Sequence, residues 1–306
     1  MSLSLFTVQM LNGLQLGVLL FMLSAGLTLV FGIMNFVNLA HGSLYMMGAY
    51  FAAAAYVRSE SFWIAALVGV AGSAALGFAM ERIVAARLYA RDHLDQVLAT
   101  FGLILFFNEL ARWIWGASPY YMNVPQALSG TVSLFGISYS AYRFAIIGVG
   151  LAVALGCYLL ISKTRVGMLI RAGSSNPTIV AALGVNIKLL NAAIFALGAG
   201  LAGVAGLMSG PILSVQPGMG EPILITAMIV IVIGGIGSVR GAFYSALIVG
   251  LIDTAGRAFL PMLLRGILDR ATAQAAGPAL ASMLICIFMA AVLALKPQGL
   301  FPVKNQ

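Results

Sequence analysis

The sequence predicts an all-α integral membrane protein, a polytopic bundle of about eight to ten transmembrane helices with some interrupted or re-entrant segments. Of its 306 residues, 62% are hydrophobic and only 8% are charged, whereas roughly 25% are charged in soluble domains. Apolar segments cover nearly the whole chain, and no polar linker is long enough to separate two folded units. We therefore expect a single transmembrane domain over residues 1–306.

Apolar runs of about 20 residues, the length that crosses a bilayer, recur along the chain. They lie near residues 7–32, 40–57, 62–81, 96–115, 141–162, 188–210, 222–239, 241–260 and 277–295. The first run lacks a preceding basic segment and is too long for the apolar part of a signal peptide. We expect it to remain in the mature protein as the first helix.

The basic residues predict the orientation of the chain. The 16 Lys and Arg outnumber the 8 Asp and Glu, but they are scattered among short loops, which favours topology and contact with anionic membrane lipid over nucleic-acid binding. An outside N-terminus and an inside C-terminus place ten of them in the cytoplasm: Arg82, Arg87, Arg91, Lys163, Arg165, Arg171, Lys188, Arg240, Lys296 and Lys304. The loop from Lys163 to Lys188 contains four basic and no acidic residues, so its cytoplasmic location is the firmest part of this prediction.

The stretch from Gly32 to Tyr50 places hydrogen-bonding side chains where the surrounding sequence predicts lipid. On a continuous helix, Asn35, Asn38, His41 and Tyr45 would form one stripe. Polar side chains at membrane depth usually face the bundle interior or a wet cavity, so we predict that this stripe lines a solute pathway. The alternative is that these groups only hold helices together by hydrogen bonds. Because little polar sequence separates the two adjoining runs, we also expect a broken or re-entrant helix here.

A second interruption is expected within residues 223–250. Gly234, Gly235 and Gly237 follow an apolar helix and precede the next one, as in the first stretch. Paired Gly-interrupted segments indicate the central site of a transporter, although glycine also serves simply for close helix packing. We assign these three glycines to the predicted pathway.

Two pairs of opposite charges lie within the apolar segments. Glu109 and Arg112 are three residues apart, and Asp253 and Arg257 are four apart, so each pair can meet on a helix surface. Structural ion pairs are the favoured interpretation. A proton relay of Glu109, Asp253 and His41, typical of an ion-coupled secondary transporter, is the alternative.

The sequence contains no GxxxxGK[ST] phosphate loop and no Cys/His cluster with metal-ligand spacing. Cys157 and Cys286 each lie alone in an apolar segment. We therefore expect no metal site, no cofactor and no enzymatic activity in this chain. If ATP drives the protein, a separate chain must bind it.

The predicted cytoplasmic loop contains a short helix. Asn176 is suited to cap it, Pro177 to occupy its first position, and Gly184 to end it. A short amphipathic helix with basic flanks can dock into the groove of another protein. A plain connector helix is the alternative.

Several stretches together resemble the permease subunits of ABC importers for branched-chain (hydrophobic) amino acids, specifically the shorter LivH-like type. They are residues 12–50, residues 98–103, Asn176-Pro177 with residues 181–186, residues 234–253 and the terminal KPQGLF at residues 296–301. No single motif is decisive, but their order and spacing make the match specific. The resemblance covers almost the whole chain.

This resemblance implies an ABC importer permease fold in the bacterial inner membrane. It implies four kinds of partner or ligand: a second homologous permease subunit, two cytoplasmic ATPase subunits, an extracytoplasmic solute-binding protein, and ATP with Mg on the ATPases. It also implies that Ala181, Ala182 and Gly184, with Asn176 and Pro177, form the ATPase-coupling helix. The acidic residue often found before these alanines is absent, since Thr178, Ile179 and Val180 stand there.

The function implied is ATP-driven uptake, by alternating access, of branched-chain amino acids or a related small polar solute such as an amide, urea or an aromatic acid. A proton- or ion-coupled secondary transporter and a passive solute channel are the alternatives from other classes.

Overall fold

The computed structural model of the protein describes residues 3–134 and 137–301. In this part of the chain the backbone is almost entirely helical, and the one sheet is a two-stranded hairpin. The first helices are α1 (Leu3–Met34), α2 (His41–Ser59), α3 (Phe62–Met80), a π-helical turn (Glu81–Ala85), α4 (Ala86–Leu88) and α5 (His93–Trp115). A 3-10 turn (Gln126–Leu128) and the strands β1 (Thr131–Leu134) and β2 (Ile137–Ser140) follow. The remaining helices are α6 (Ala141–Lys163), α7 (Arg165–Ser175), α8 (Pro177–Ala182), α9 (Ile187–Ser209), α10 (Gly220–Gly234), α11 (Val239–Leu264) and α12 (Arg270–Leu295).

All nine predicted apolar segments form helices. Within the described residues, 7 helices are long and apolar enough to cross a membrane, namely α1, α3 continuing to Leu88, α5, α6, α9, α11 and α12. The other two segments form α2, with 19 residues, and the shorter α10, with 15. The prediction of a polytopic helical membrane protein is confirmed.

The centre of the bundle consists of α1, α2 and α9. The apolar windows of α1 and α9 are each 72% buried inside the protein, whereas those of α3, α5, α6 and α11 are 22% buried. Small residues allow these central helices to approach closely, as membrane helices commonly do. Gly26 of α1 faces Gly198 of α9, and Gly48 of α2 faces Gly203 of α9.

The predicted cytoplasmic loops come together at one end of the bundle. Arg171 and Arg240 line the same cavity there, and the ring of Tyr89 packs edge-on against Phe36 at 5.5 Å. The segment after α12 reaches the same end, because Leu300 N–H donates to the Ile233 carbonyl at 2.8 Å. Lys304 lies outside the described residues.

The opposite end carries the hairpin and the remaining links. Tyr120 and Val215 exchange two backbone hydrogen bonds, of 2.8 and 2.9 Å, and so join the α5–α6 link to the α9–α10 link. Tyr142, at the start of α6, donates to the carbonyl of Met208 at 2.9 Å. Hydrogen bonds between segments far apart in the sequence therefore hold this end together as well.

Candidate functional site

Both predicted helix interruptions are real breaks, and they lie against each other. The first comprises residues 35–40 between α1 and α2, and the second comprises residues 235–238 between α10 and α11. Asn35 has a φ of 47°, Gly235 of 100° and Gly237 of 81°, a region that only glycine and, less often, asparagine adopt readily. A Cβ atom on Gly32, just before the first break, would lie 2.8 Å from Gly237 Cα.

A cavity of about 990 Å³ opens beside the two breaks. Its walls come from α1, α6, α7 and the start of α11, and both Asn35 and Gly237 line it. Other polar lining residues are Thr28, Ser162, Arg171, Ser174, Ser238 and Arg240. The structure thus brings together two of the predicted pathway residues, one from each break.

The polar stripe that a continuous helix would form is absent, because the chain breaks here. The helix α1 stops at Met34 and α2 begins at His41. The positive φ of Asn35 turns the chain between them. Asn35 therefore faces the cavity, whereas Asn38, His41 and Tyr45 are no more than 3% exposed and lie in the packed interior.

These three buried side chains differ in how their polar atoms are satisfied. His41 Nε2 donates to the Leu23 carbonyl of α1 at 3.2 Å, and Tyr45 Oη lies 2.6 Å from Ser209 Oγ of α9. Both contacts match the interhelical hydrogen bonding weighed as the alternative for this stretch. By contrast, both side-chain polar atoms of Asn38 and Nδ1 of His41 have no hydrogen-bond partner among the described residues. A role of Asn38, His41 and Tyr45 in the pathway stays a prediction.

The C-terminal segment caps the second break, which sequence reasoning missed. Leu300 N–H donates to Ile233 O and Phe301 N–H to Gly234 O, at 2.8 and 3.0 Å. The last carbonyls of a helix have no partner within it, so these bonds complete the end of α10. Gly235 lies close to the same segment, since a Cβ atom there would be 3.0 Å from Gln298 O. From the sequence, KPQGLF enters only the family resemblance, and no local pattern in it indicates a contact with α10.

The first break is tethered to the link between α4 and α5. Val37 N–H donates to Gln96 Oε1 at 3.1 Å, and Gln96 Nε2 donates to the carbonyls of Leu88 and Arg91 at 3.3 and 3.2 Å. Gln96 is 2% exposed. Nothing in its local pattern indicated this role, because its partner is 59 residues away.

The short helix α8 forms as the sequence predicted. Asn176 Oδ1 accepts from Ile179 N–H at 3.1 Å, and Pro177 occupies the first position of the helix. The turn after the helix ends at Gly184, which has a φ of 87°. Ala181 and Ala182 are exposed.

The helix α8 presents apolar side chains to its surroundings at the basic end of the bundle. Ile179 is 57% exposed and Leu183 is 78% exposed, whereas Val180 is buried. Ile179 and Leu183 are four residues apart, and exposed apolar side chains mark an interaction site where they form a contiguous patch in water. The docking role itself stays a prediction.

Both ion pairs within the apolar segments form, each on its own helix. Arg112 lies 2.9 Å from Glu109 on α5, and Arg257 lies 2.9 Å from Asp253 on α11. His41 bonds to α1 instead. Each carboxylate is therefore compensated locally, as a structural ion pair is, and the described hydrogen bonds join neither of them to His41.

Asn108, the neighbour of Glu109, links two helices. It accepts from Gly218 N–H at 3.1 Å and donates to Glu221 Oε1 at 2.5 Å. It thus joins α5 to the first turn of α10. Glu221 was not predicted as a partner, because it is 113 residues away in the sequence.

Comparison with known proteins shows which family this chain belongs to. The family model described as "Branched-chain amino acid transport system / permease component" matches residues 9–293. The high-affinity branched-chain amino acid transport system permease protein BraD of Pseudomonas aeruginosa is 30% identical over 81% of this chain and 85% of its own. The corresponding protein LivH of Escherichia coli is 29% identical over 83% and 87%.

A similarity extends to an archaeon. The probable branched-chain amino acid transport permease protein LivH of Methanocaldococcus jannaschii is 26% identical over 77% of this chain and 76% of its own. No solved structure matches the chain. All three relatives are described as permeases for branched-chain amino acids.

Proposed function

Because the chain belongs to the family of permease components of branched-chain amino acid transport systems, we propose that it is the membrane subunit of an ATP-driven importer. The chain is a multi-pass transport subunit and not an enzyme. The observation that carries the ATP-driven part is the pair of apolar side chains exposed at the basic end of the bundle, Ile179 of α8 and Leu183 directly after it.

The proposed solute is a branched-chain amino acid or a related small polar molecule such as an amide, urea or an aromatic acid. The names of the relatives support the amino acids within this class. The solute is delivered by an extracytoplasmic binding protein, which the relatives' description as components of a transport system supports.

The proposed energy source lies in partner chains. The sequence has no phosphate-binding loop, so two cytoplasmic ATPase subunits carry the ATP and Mg, and α8 with Asn176, Pro177, Ala181, Ala182 and Gly184 transmits their movement. A second, homologous permease completes the membrane part.

The proposed moving part is the pair of breaks. Non-helical backbone in a membrane protein is tolerated where protein buries it or where it lines a cavity, and these two breaks meet both conditions. The chain changes direction between α1 and α2 at Asn35, and between α10 and α11 at Gly234, Gly235 and Gly237. Asn38 and His41 carry unpaired polar atoms beside these turns. Alternating access through these breaks gives those atoms a solute or water partner in another state.

The test changes two exposed apolar residues, Ile179 of α8 and Leu183 directly after it. Ile179→Ser with Leu183→Ser removes the proposed docking contacts without touching a buried side chain, and the matched control is Leu295→Ser, 85% exposed at the same end of the bundle. Tagged chains are extracted in mild detergent, the co-purifying subunits are quantified, and ATP-dependent leucine uptake is measured in proteoliposomes. We expect the double variant to lose both the ATPases and uptake, and the control to keep both.

Two outcomes would reject the proposal. One is wild-type protein that purifies without ATPases and still takes up solute down an ion gradient. The other is a double variant whose ATP-dependent uptake equals that of the control.

A further inference from the structure

The cavity beside the breaks contains two arginines and no acidic side chain. Arg171 of α7 and Arg240 of α11 both line it. Within the described residues neither forms an ion pair with a carboxylate. Arg171 donates to the carbonyl of Ile161, and the Arg240 guanidinium lies 5.5 Å from the centre of the Tyr158 ring. Two permanent positive charges therefore face one space, and guanidinium groups bind phosphate well.

The start of α11 adds to this positive character. Ser238, Val239 and Arg240 line the cavity and form the N-terminal turn of a 26-residue helix. Its N–H groups and dipole favour an anion there. Ser162 and Ser174 also line the cavity, and their hydroxyl groups donate to the carbonyls of Tyr158 and Arg171. The polar half of the cavity thus suits a phosphate group.

The other half of the cavity is apolar and runs deep along the bundle. The lining residues run from Asn35, just after α1 at the basic end, along α1 to Phe21, which is about 20 Å along a helix axis. Phe21 itself is buried, since it packs edge-on against Phe243 at 5.2 Å, and the accessible apolar lining comes from Ala154, Ile161 and the ring of Tyr158 on α6. A soluble anion would leave this wall without a partner, whereas an acyl chain would cover it.

We propose that this cavity binds an anionic phospholipid, with its phosphate between Arg171 and Arg240 and an acyl chain along Ala154 and Ile161. The basic end of the bundle places the phosphate in the cytoplasmic leaflet, where basic pockets between helices take such headgroups. The lipid contacts Asn35 and Gly237 and so reaches both breaks. This proposal does not rest on the proposed transport function.

The charge test compares two double variants of the full chain, purified with its co-purifying subunits. Arg171→Gln with Arg240→Gln removes the cavity charges, and Arg87→Gln with Arg91→Gln removes the same charge at the same end outside the cavity. Native mass spectrometry measures retention of phosphatidylglycerol against phosphatidylcholine. We expect the cavity variant to lose about thirtyfold in preference for phosphatidylglycerol, and the control to match the wild type.

Arg171→Lys with Arg240→Lys keeps the charge and is expected to retain most of the preference, which shows that a loss in the glutamine variant is not misfolding. Equal retention in the cavity variant and the control would overturn the site.

The chain test separates a lipid from a free phosphate. Ala154→Trp fills the apolar wall and leaves both arginines, so it should lower phosphatidylglycerol retention several-fold. Inorganic phosphate or glycerol 3-phosphate at millimolar concentration should not displace the bound lipid. Unchanged retention in Ala154→Trp, or displacement by either soluble phosphate, would show an anion site without a lipid and overturn the proposal.

Discussion

Two asparagines of this protein, the partly buried Asn12 and the buried Asn38, have opposite environments. Asn12 Oδ1 accepts from Tyr139 at 3.0 Å and from Arg143 at 2.6 Å, and its Nδ2 donates to Gln9 at 3.2 Å. Asn38 is 1% exposed, and its amide finds no partner in residues 3–134 and 137–301. A buried amide without hydrogen bonds costs about 1–3 kcal/mol. Asn12 therefore stabilises the fold through its side chain, and Asn38 does not in this conformation.

Asn38→Leu is expected to separate stability from transport. Leucine has a similar branched shape and no polar atom, so the variant should gain about 1–3 kcal/mol in free energy of unfolding while solute uptake falls. Thermal unfolding in detergent and uptake in proteoliposomes measure the two effects. Asn12→Leu is the control, and it should lower the melting temperature because Tyr139 and Arg143 lose their shared acceptor.

The result would contradict this interpretation in either of two ways. A lower melting temperature for Asn38→Leu would mean that its amide has a structural partner. Unchanged uptake would remove Asn38 from the pathway.

At the level of helices, close contact depends on where the glycines lie, and their number alone does not reveal it. A Cβ atom on Gly26 of α1 would lie 2.5 Å from Gly198 O and 2.9 Å from Gly198 Cα. Both obstructing atoms belong to the backbone of α9, which cannot move aside alone. At Gly156 of α6, nothing lies within 4 Å of such an atom. Gly26 therefore allows α1 and α9 to pack closely, whereas Gly156 makes no such contact on α6.

Alanine at these two positions should have opposite effects on stability. Gly26→Ala forces α1 and α9 apart and should cost about 1–3 kcal/mol, whereas Gly156→Ala gains helix propensity of up to about 1 kcal/mol. Melting temperatures in the same detergent compare them. Equal shifts, or a stabilised Gly26→Ala, would show that the α1–α9 contact is looser than described.

The helices were largely predictable, and the contacts between them were not. Apolar length alone located all nine segments, and the local cap chemistry of Asn176 and Pro177 located α8. The break after α1 was expected, but helical periodicity could not show that Asn35 turns the chain, so the stripe of polar side chains does not form. Gln96 and Glu221 were missed because their partners lie far away in the sequence, and only the fold brings them together.

Over the whole molecule, the two ends of the bundle differ in charge. The basic end carries the loop of residues 163–188, which has four basic and no acidic residues, together with the breaks and the link from α4 to α5. The hairpin and the bridge between Tyr120 and Val215 occupy the other. Lys and Arg accumulate on the cytoplasmic side of membrane proteins. This distribution predicts that the end carrying α8 faces the cytoplasm, as the ATPase proposal requires.

Cysteine labelling tests this orientation for the whole chain. Cys157 and Cys286 are first replaced by serine, and single cysteines are then introduced as Lys188→Cys at the basic end and Ser129→Cys at the hairpin end. Both positions are exposed. A membrane-impermeant maleimide applied to intact spheroplasts should label only Ser129→Cys, and after permeabilisation it should label both. If Lys188→Cys reacted in intact spheroplasts, α8 would lie outside the cell, out of reach of cytoplasmic ATPases, and the orientation and the coupling role would both be rejected.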